Sequence, residues 1–398
     1  MEPSHIPSEE SGQAQFTMQD GGPEAFATPQ VVDRYPELKR LIKKQGLLEK
    51  QPLYYSAKIA VTLGFLVLSL AMLVSIHLYW FQLLNAIFLA FASTQIALLA
   101  HDAGHRQIAH KIWKNNVIIL IAANLCIGMS GGWWIDKHNR HHSHPNQQDL
   151  DPDIDIPIIA FTEEDIRRKN RFVLYIIKYQ AYLFFPLMAL VSFDFQQQGL
   201  RFVLNRKGKY SSIELLLIII HLYCYATVLL WQLGIWRALL FTLIYRVFLG
   251  FYMGMIFSPN HKGMPILDAN NQMSFLDRQL LTARNITSHP LIDFLYGGLN
   301  FQIEHHLFPT IPRNRLKETQ KLIKSFCQIH ALPYHETTLA QSYLEILRYL
   351  HQISMPLRLK ASTQRPKSLC GRIGGKRQRK EERINARTPT SRAEIERD

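Results

Sequence analysis

IAVTLGFLVLSLAMLVSI, residues 59–76, contains no charged side chain. After HLYW the chain runs on through FQLLNAIFLAFASTQIALLA, residues 81–100, again without one. Each block approaches the roughly 20 residues a helix needs to cross a bilayer. Their four-residue connection predicts a tight helical hairpin. Blocks 212–232 and 236–257 repeat the arrangement, with a short turn around Leu233–Ile235. The pattern predicts an all-α integral membrane protein, multi-pass, with four transmembrane helices in two hairpins. Arg246 lies well inside the last block, where lipid contact is costly, so it is expected to face protein or a water-filled cavity.

Two weaker apolar blocks remain. Residues 117–130 are short for a span. Residues 172–195 contain Lys178, Pro186 and Asp194 and lie between RRKNR and RKGK. That composition predicts a helix lying in the interface, or a re-entrant one. A single crossing there would put HNRHH (138–142) and QIEHH (302–306) on opposite faces of the membrane.

Polar material flanks the apolar blocks. Residues 1–50 lack an apolar signal core, so no cleavable leader is expected. The first 30 are expected to be disordered, and VVDRYPELKRLIKKQGLLEK (31–50) to be helical and basic. Lys39, Arg40, Lys43, Lys44, Lys50 and Lys58 precede the first span, which predicts a cytoplasmic amino terminus. The hairpins then return the chain to the cytoplasm near Ala100 and Pro259. A membrane domain over 51–350 is followed by a basic tail, 351–398, expected to be disordered and cytoplasmic. Residues 356–398 hold thirteen Lys/Arg against five Asp/Glu, much of the formal +14 of the 398-residue chain. That surplus would suit a nucleic acid on composition alone. Beside a membrane domain, topology and anionic headgroups explain it more cheaply, and no nucleic-acid partner is expected. Four cysteines without a C-x-x-C pair argue against a disulfide framework, a zinc ribbon or an iron–sulfur cluster.

Seven of the 17 histidines stand in three tight groups: His101 and His105; His138, His141 and His142; His305 and His306. Positions i, i+3 and i+4 share a helix face, so HDAGH presents two imidazoles and HNRHH three. In QIEHH, Gln302 takes the place that His138 takes in HNRHH. Isolated histidines such as His77, His221, His330, His335 and His351 read as surface or packing residues. Seven at ligand spacing on one face read differently, because imidazole serves iron, zinc or copper. One zinc uses about four ligands, so this supply of nitrogens suggests two metals. HExxH is absent, and so are the Glu-x-x-His pairs of ferritin-like di-iron bundles. Glu304 would point away from the ligand face.

HDAGH, HNRHH and QIEHH, in this order behind paired spans, resemble the three histidine boxes of the membrane fatty acid desaturases. The resemblance runs over residues 55–350 and includes HNRHHSHPNQQDLDPDI and LFPTIPR. A leading Gln in the third box is similar to the front-end group, which inserts double bonds between an existing one and the carboxyl end. The resemblance implies a cytoplasmic helical cap holding a histidine-rich di-iron site. It implies two iron ions and O2 as co-substrate, with a fatty acyl substrate carried on coenzyme A or a lipid. His101, His105, His138, His141, His142, Gln302, His305 and His306 become catalytic candidates, the histidines as metal ligands. His261 in FSPNHKG fits a further ligand at the end of the last span. The Gln302 amide would bind metal weakly or hydrogen-bond a metal-bound water.

Asn260 and Asn300 are candidates for water-mediated contacts, whereas His110 and His144 stand off the ligand face. Asp151, Asp153 and Asp102 are expected to accept the outer N–H of ligand imidazoles. Trp133 and Trp134 read as membrane-interface anchors. Thr94, Tyr252 and Met253 are candidates for the wall of an acyl tunnel. HPGG, the mark of a fused cytochrome b5 domain, does not occur, so ferredoxin or a separate cytochrome b5-like protein is the expected electron donor. The competing readings are a hydroxylase or acetylenase of the same chemistry, a zinc-dependent receptor or lipid hydrolase, and a transporter.

Overall fold

Helices account for nearly all regular structure in the computed structural model, which describes residues 33–363. Pro36 starts α1 (Tyr35–Lys44), with Glu37 in its first turn and Lys43 and Lys44 in its last, the polarity a helix dipole favours. α2 (Pro52–Ser75) and α3 (Tyr79–Gly104) pack against each other across a three-residue connection. Their seam is polar and satisfied. Ser69 Oγ donates to Asn85 Oδ1 at 2.8 Å, and Gln82 Nε2 donates to the Met72 carbonyl at 2.9 Å. Such bonds replace those that lipid cannot offer. α3 is buried along most of its length and is the central helix; α2 turns most of its side chains outward.

α4 (Ile112–Ile119) continues as a π-helical segment, Leu120–Ile127, and then meets α5 (Gly131–Ser143) at 115°. The short block at 117–130 is therefore half of a bent pair packed against α3. Ser130 caps α5 by accepting from Trp133 N at 3.1 Å. The carboxylate of Glu214, buried near the start of the long helix that begins at Ser211, accepts from Ser130 Oγ at 2.7 Å, Gly132 N at 3.2 Å and Asn124 Nδ2 at 3.1 Å. One acid thus anchors the root of the helix that carries HNRHH.

The block at 172–195 is divided. After α6 (Glu163–Arg168) come α7 (Arg171–Lys178), α8 (Gln180–Met188) and α9 (Val191–Leu204), none of span length. α10 (Ser211–His261) is broken at Gly234, whose φ of 69° and ψ of 170° are not helical and suit glycine. Tyr225 Oη donates to Thr242 Oγ1 at 3.1 Å across that break. A straight helix would hold residues 17 apart about 25 Å from each other at 1.5 Å per residue. The two halves therefore fold back on each other. Arg246 in the second half faces protein: it donates to Gln196 Oε1 at 3.2 Å and lies 5.5 Å from the Phe193 ring. Among the described residues, α2, α3 and α10 are long and apolar enough to cross a membrane, and the bent pair α4–α5 makes a fourth candidate.

The remaining elements close over the helix ends. They are α11 (Phe275–Thr282), α12 (Pro290–Leu295), α13 (Gln302–Leu307), α14 (Leu316–Ile329), α15 (Leu339–Ile353) and α16 (Met355–Thr363). Two-residue strands β1 (Asn285–Ile286) and β2 (Glu336–Thr337) pair in parallel. Leu38 and Ile42 of α1 join Ile303, Leu307, Ile323 and Phe326 in one apolar cluster, and Tyr35 Oη donates to the Leu307 carbonyl at 3.0 Å. The expected boundary at 350 falls inside α15, and helix continues to Thr363, so the first part of the basic tail is ordered. The disorder expected for residues 1–30 and for the rest of the tail lies outside the described residues.

Gly250 sets the approach of α9 to α10. A Cβ there would stand 2.5 Å from the Ala189 carbonyl oxygen and 2.9 Å from Ser192 N. Both are backbone atoms, so neither can swing away. Gly250→Val is expected to destabilise the fold by about 1–3 kcal/mol, the cost of overpacking a filled interface. Thermal denaturation in detergent checks this, and an unchanged midpoint would contradict the packing.

Candidate metal centre

Four separate elements deliver eight histidines to one place. His101 lies in the last turn of α3 and His105 just past its end. His138, His141 and His142 share one face of α5, while His261 ends α10. α13 is a six-residue helix with every residue buried, and it contributes His305, His306 and Gln302. His101, His105, His138 and His305 bring one ring nitrogen each within 4.8 Å of the others; His141, His261 and His306 do the same in a second group. His142 joins them: its ring stacks on His306 at 4.0 Å between centroids and lies 4.6 Å from His105 and 4.8 Å from His305.

Protons cannot account for this packing. The Nδ1 of His261 lies 2.9 Å from the Thr282 carbonyl, an acceptor only, so Nδ1 carries the hydrogen and Nε2 offers a lone pair, which the Gln302 amide approaches at 2.9 Å. The Nδ1 of His306 lies 2.8 Å from Gln279 Oε1, whose amide is oriented by its Nε2 donating to the His142 carbonyl at 2.8 Å. His306 Nε2 therefore offers a lone pair too, and it faces His261 Nε2 at 3.1 Å. Two lone pairs at that distance repel unless a cation stands between or beside them. His138 Nε2 likewise meets His105 Nε2 at 2.8 Å and His142 Nε2 at 3.0 Å. His101 Nε2 and His305 Nε2 are buried without a hydrogen-bond partner. The donor set fits metal ions: neutral nitrogen lone pairs, converging in two groups, in a dry place.

Basicity follows the same geometry. Burial, together with neighbouring imidazoles, holds His138, His142, His305 and His306 well below the ordinary histidine value, so they are neutral and free to donate lone pairs at physiological pH. At His141 burial pulls the same way but loses, because the carboxylates of Asp151 and Asp153 raise it above that value.

The supporting shell combines anticipated and unanticipated residues. Asp151 accepts from His141 Nδ1 at 3.0 Å and from the backbone N–H groups of Asn146 and Asp153, each at 2.8 Å. Asp153 lies 3.5 Å from His141 Nδ1 and also pairs with Lys137. Asp102 accepts from His101 Nδ1 at 3.3 Å and is held by Arg313 at 2.8 Å and Tyr55 Oη at 3.1 Å. Gln279, Thr282, Tyr55 and Glu214 were not singled out by sequence reasoning. Single polar residues outside any periodic cluster carry no such signal. Arg313, in LFPTIPR, stood inside a noted stretch without a role. Glu304 does point away, accepting from Asn285 Nδ2 at 2.6 Å and Tyr334 Oη at 2.8 Å, and burial pushes it up to about 7.

Gln302 has a defined polarity. Asn260 Nδ2 donates to the Ile256 carbonyl at 3.3 Å and to Gln302 Oε1 at 3.0 Å. The Gln302 oxygen is thereby occupied, and its Nε2 points to His261 Nε2 at 2.9 Å. Gln302 stands in the site as a hydrogen-bond donor, which favours the water-bonding role over ligation. Asn300 donates to Asp293 Oδ1 at 2.7 Å, and His144 contacts Gln147 Oε1 at 3.0 Å.

Two expectations need correction. Trp134 stacks on His138 at 4.4 Å, and Trp133 is buried against Phe195, so neither anchors the chain in the membrane interface. Both sit on α5, where the histidines draw their face inward. Tyr252 borders neither of the two cavities beside the histidines; its hydroxyl donates to the Leu295 carbonyl at 2.8 Å. Thr94 and Met253 do line a space, a narrow apolar cavity of about 50 Å³ that reaches His101 and is closed by Ile119, Ala123 and Trp133. A second cavity, about 590 Å³, reaches His138, His141 and His261 from the side of α8 and α9. Trp134, Phe195 and Phe257 border both. The larger falls within the roughly 300–1,000 Å³ usual for small-molecule sites.

Comparison with known proteins agrees with this geometry. The fatty acid desaturase family matches residues 75–338. The acyl-lipid (9-3)-desaturase of Physcomitrium patens is 28% identical over 338 residues, 82% of this chain but only 64% of that protein. This chain therefore spans less than two thirds of the Physcomitrium relative. The Delta(8)-fatty-acid desaturase of Euglena gracilis is 30% identical over 82% of this chain and 80% of its own. The Delta(6)-fatty-acid desaturase of Caenorhabditis elegans is 30% identical over 83% and 77%. With eight converging imidazoles beneath an apolar cavity, the chain belongs to the fatty acid desaturase family of oxidoreductases.

Proposed function

We propose that this chain is an O2-dependent di-iron desaturase that introduces a double bond on the carboxyl side of an existing one. In this reading four transmembrane passes in two hairpins hold the centre at the cytoplasmic face, under a helical cap. The observation that carries it is the two groups of converging imidazole nitrogens joined by His142. Four ligands is about what one ion takes, and eight histidines supply two. The names of the Euglena and Caenorhabditis relatives, Delta(8) and Delta(6), support the choice of substrate end.

Bound iron with O2 would supply the oxidising power that removes two hydrogens from neighbouring methylenes, one O2 leaving as two waters with two electrons and two protons added. The chain's own residues do the rest. His101, His105, His138 and His305 would hold one ion, and His141, His261 and His306 the other, with His142 between them. Asp151, Asp102 and Gln279 fix the ring planes by accepting their outer N–H groups. Gln302 directs an N–H toward His261 Nε2 at the edge of the centre, where it would be available to a water once His261 holds the ion. The apolar walls at Trp134, Phe195 and Phe257 exclude water and hold the acyl chain beside the centre, where positioning supplies much of the rate. Ferredoxin or a separate cytochrome b5-like protein would deliver the electrons, and the basic surface suits such an acidic partner.

Expression in a host without comparable desaturases, fed linoleate, checks the reading by mass spectrometry of its fatty acids. A new double bond between the existing ones and the carboxyl group is expected. New bonds only on the methyl side would contradict the selectivity, and hydroxylated products the reaction.

A further inference from the structure

We propose that Arg284 is a positioning residue for the ligand His261, gripping the backbone on both sides of that histidine while Glu345 of α15 holds its guanidinium. The inference rests on the di-iron centre of the reading above and adds a residue that touches neither the ions nor the acyl chain.

Of the eight histidines, His261 alone comes without a companion of the centre in its own stretch of chain, and it is the last residue of α10. A helix end is loose, because its last four carbonyls have no intrahelical donor. Pro259 loosens this one further. It has no N–H for the Met255 carbonyl, which accepts instead from Tyr296 Oη at 3.0 Å and Tyr343 Oη at 2.7 Å. Pro259, Asn260 and His261 are buried, so their carbonyls need partners from the protein.

Arg284 supplies them. Its Nε donates to the Pro259 carbonyl at 2.5 Å, its backbone N–H to the Asn260 carbonyl at 2.9 Å, and its Nη2 to the Lys262 carbonyl. The carbonyl of His261 itself accepts from Asn146 Nδ2 at 3.0 Å. Every carbonyl from 259 to 262 is therefore taken, and one residue takes all but that of His261. Two positions before Arg284, the Thr282 carbonyl accepts from the His261 ring at 2.9 Å. One short stretch thus fixes both the ring and the backbone of a ligand, and β1, which begins at Asn285, ties it to β2.

A guanidinium suits the task. Its rigid fork reaches two carbonyls and a carboxylate at once, whereas an ammonium is a point charge on a flexible stem. Its charge also matches the negative end of α10. The Arg284 side chain is 0% exposed, and a cation so buried needs a counter-charge. Glu345 provides it by accepting from Nη1. That carboxylate also accepts from Gln341 Nε2 at 3.3 Å and lies 3.3 Å from His335 Nε2. Filling space would call for an apolar side chain; this arrangement aims a charge at the backbone of a ligand.

The test uses the full chain in detergent, loaded with ferrous iron. It reads iron affinity by competition with a chelator, the Mössbauer spectrum and the melting midpoint. Arg284→Ala is expected to weaken one of the two ions roughly tenfold, the low end for loss of an outer-shell partner, and to leave the other unmoved. One of two iron signals should change, and free guanidinium should restore both affinity and spectrum. Glu345→Gln, at a site 25% exposed, should weaken the same ion by a smaller factor, and it decides the matter if Arg284→Ala does not fold. Parent affinity for both ions overturns the proposal, as does equal weakening of both or a melting midpoint that falls while the affinities stay. One ion weakened in a protein whose parent form makes no double bonds supports the proposal and sinks the desaturase reading. Double bonds from the parent, with both ions unmoved in the variants, do the reverse.

Discussion

His306→Ala is expected to reduce double-bond formation at least about a hundredfold, since loss of an outer-shell partner alone costs metal sites roughly 10–100-fold. His306 is 1% exposed and stacks on His142, so it belongs to one nitrogen group and borders the other. Its removal takes a ligand from the group with His141 and His261. It also leaves Gln279 Oε1 without its donor. Metal content per chain should fall along with activity, while the protein still elutes as the folded form. Activity retained within a few-fold would mean that this imidazole does not hold the reacting centre.

Asp151→Asn should produce the second-largest effect, a loss of roughly 10–100-fold in metal affinity. The carboxylate accepts three N–H groups at once, from His141, Asn146 and Asp153. An amide of the same shape must turn its own N–H2 toward one of these donors. If it faces His141, the imidazole loses its Nδ1 acceptor and the tautomer that frees Nε2. If it faces the backbone, a buried N–H is left unpaired at about 1–3 kcal/mol. Metal titration followed by dialysis separates the two. Affinity loss with an unchanged melting midpoint marks the imidazole, and loss of both marks the loop. Unchanged affinity would remove Asp151 from the supporting shell.

What the sequence revealed was whatever repeats locally. Apolar blocks with few or no charges mark α2, α3 and both halves of α10, and i, i+3, i+4 spacing puts His138, His141 and His142 on one face. The break at Gly234 was legible because a short turn separates two apolar blocks. What stayed hidden depends on contacts between distant parts of the chain. Nothing near Gln279 says that α11 will deliver it to His306, and nothing near Glu214 says that it will cap α5. Trp133 and Trp134 misled because aromatic residues beside apolar blocks usually mark an interface, whereas here the histidines of the same helix turn them inward. Residues 117–130 were too short for one span and too apolar for a loop, and a bend of 115° resolves that conflict.

Iron content of the purified, active protein tests the central claim most directly. Two iron ions per chain are expected, falling together with activity when a chelator is applied and returning with ferrous iron. A protein that forms double bonds with no iron bound, or that carries a single zinc in place of iron, would contradict it.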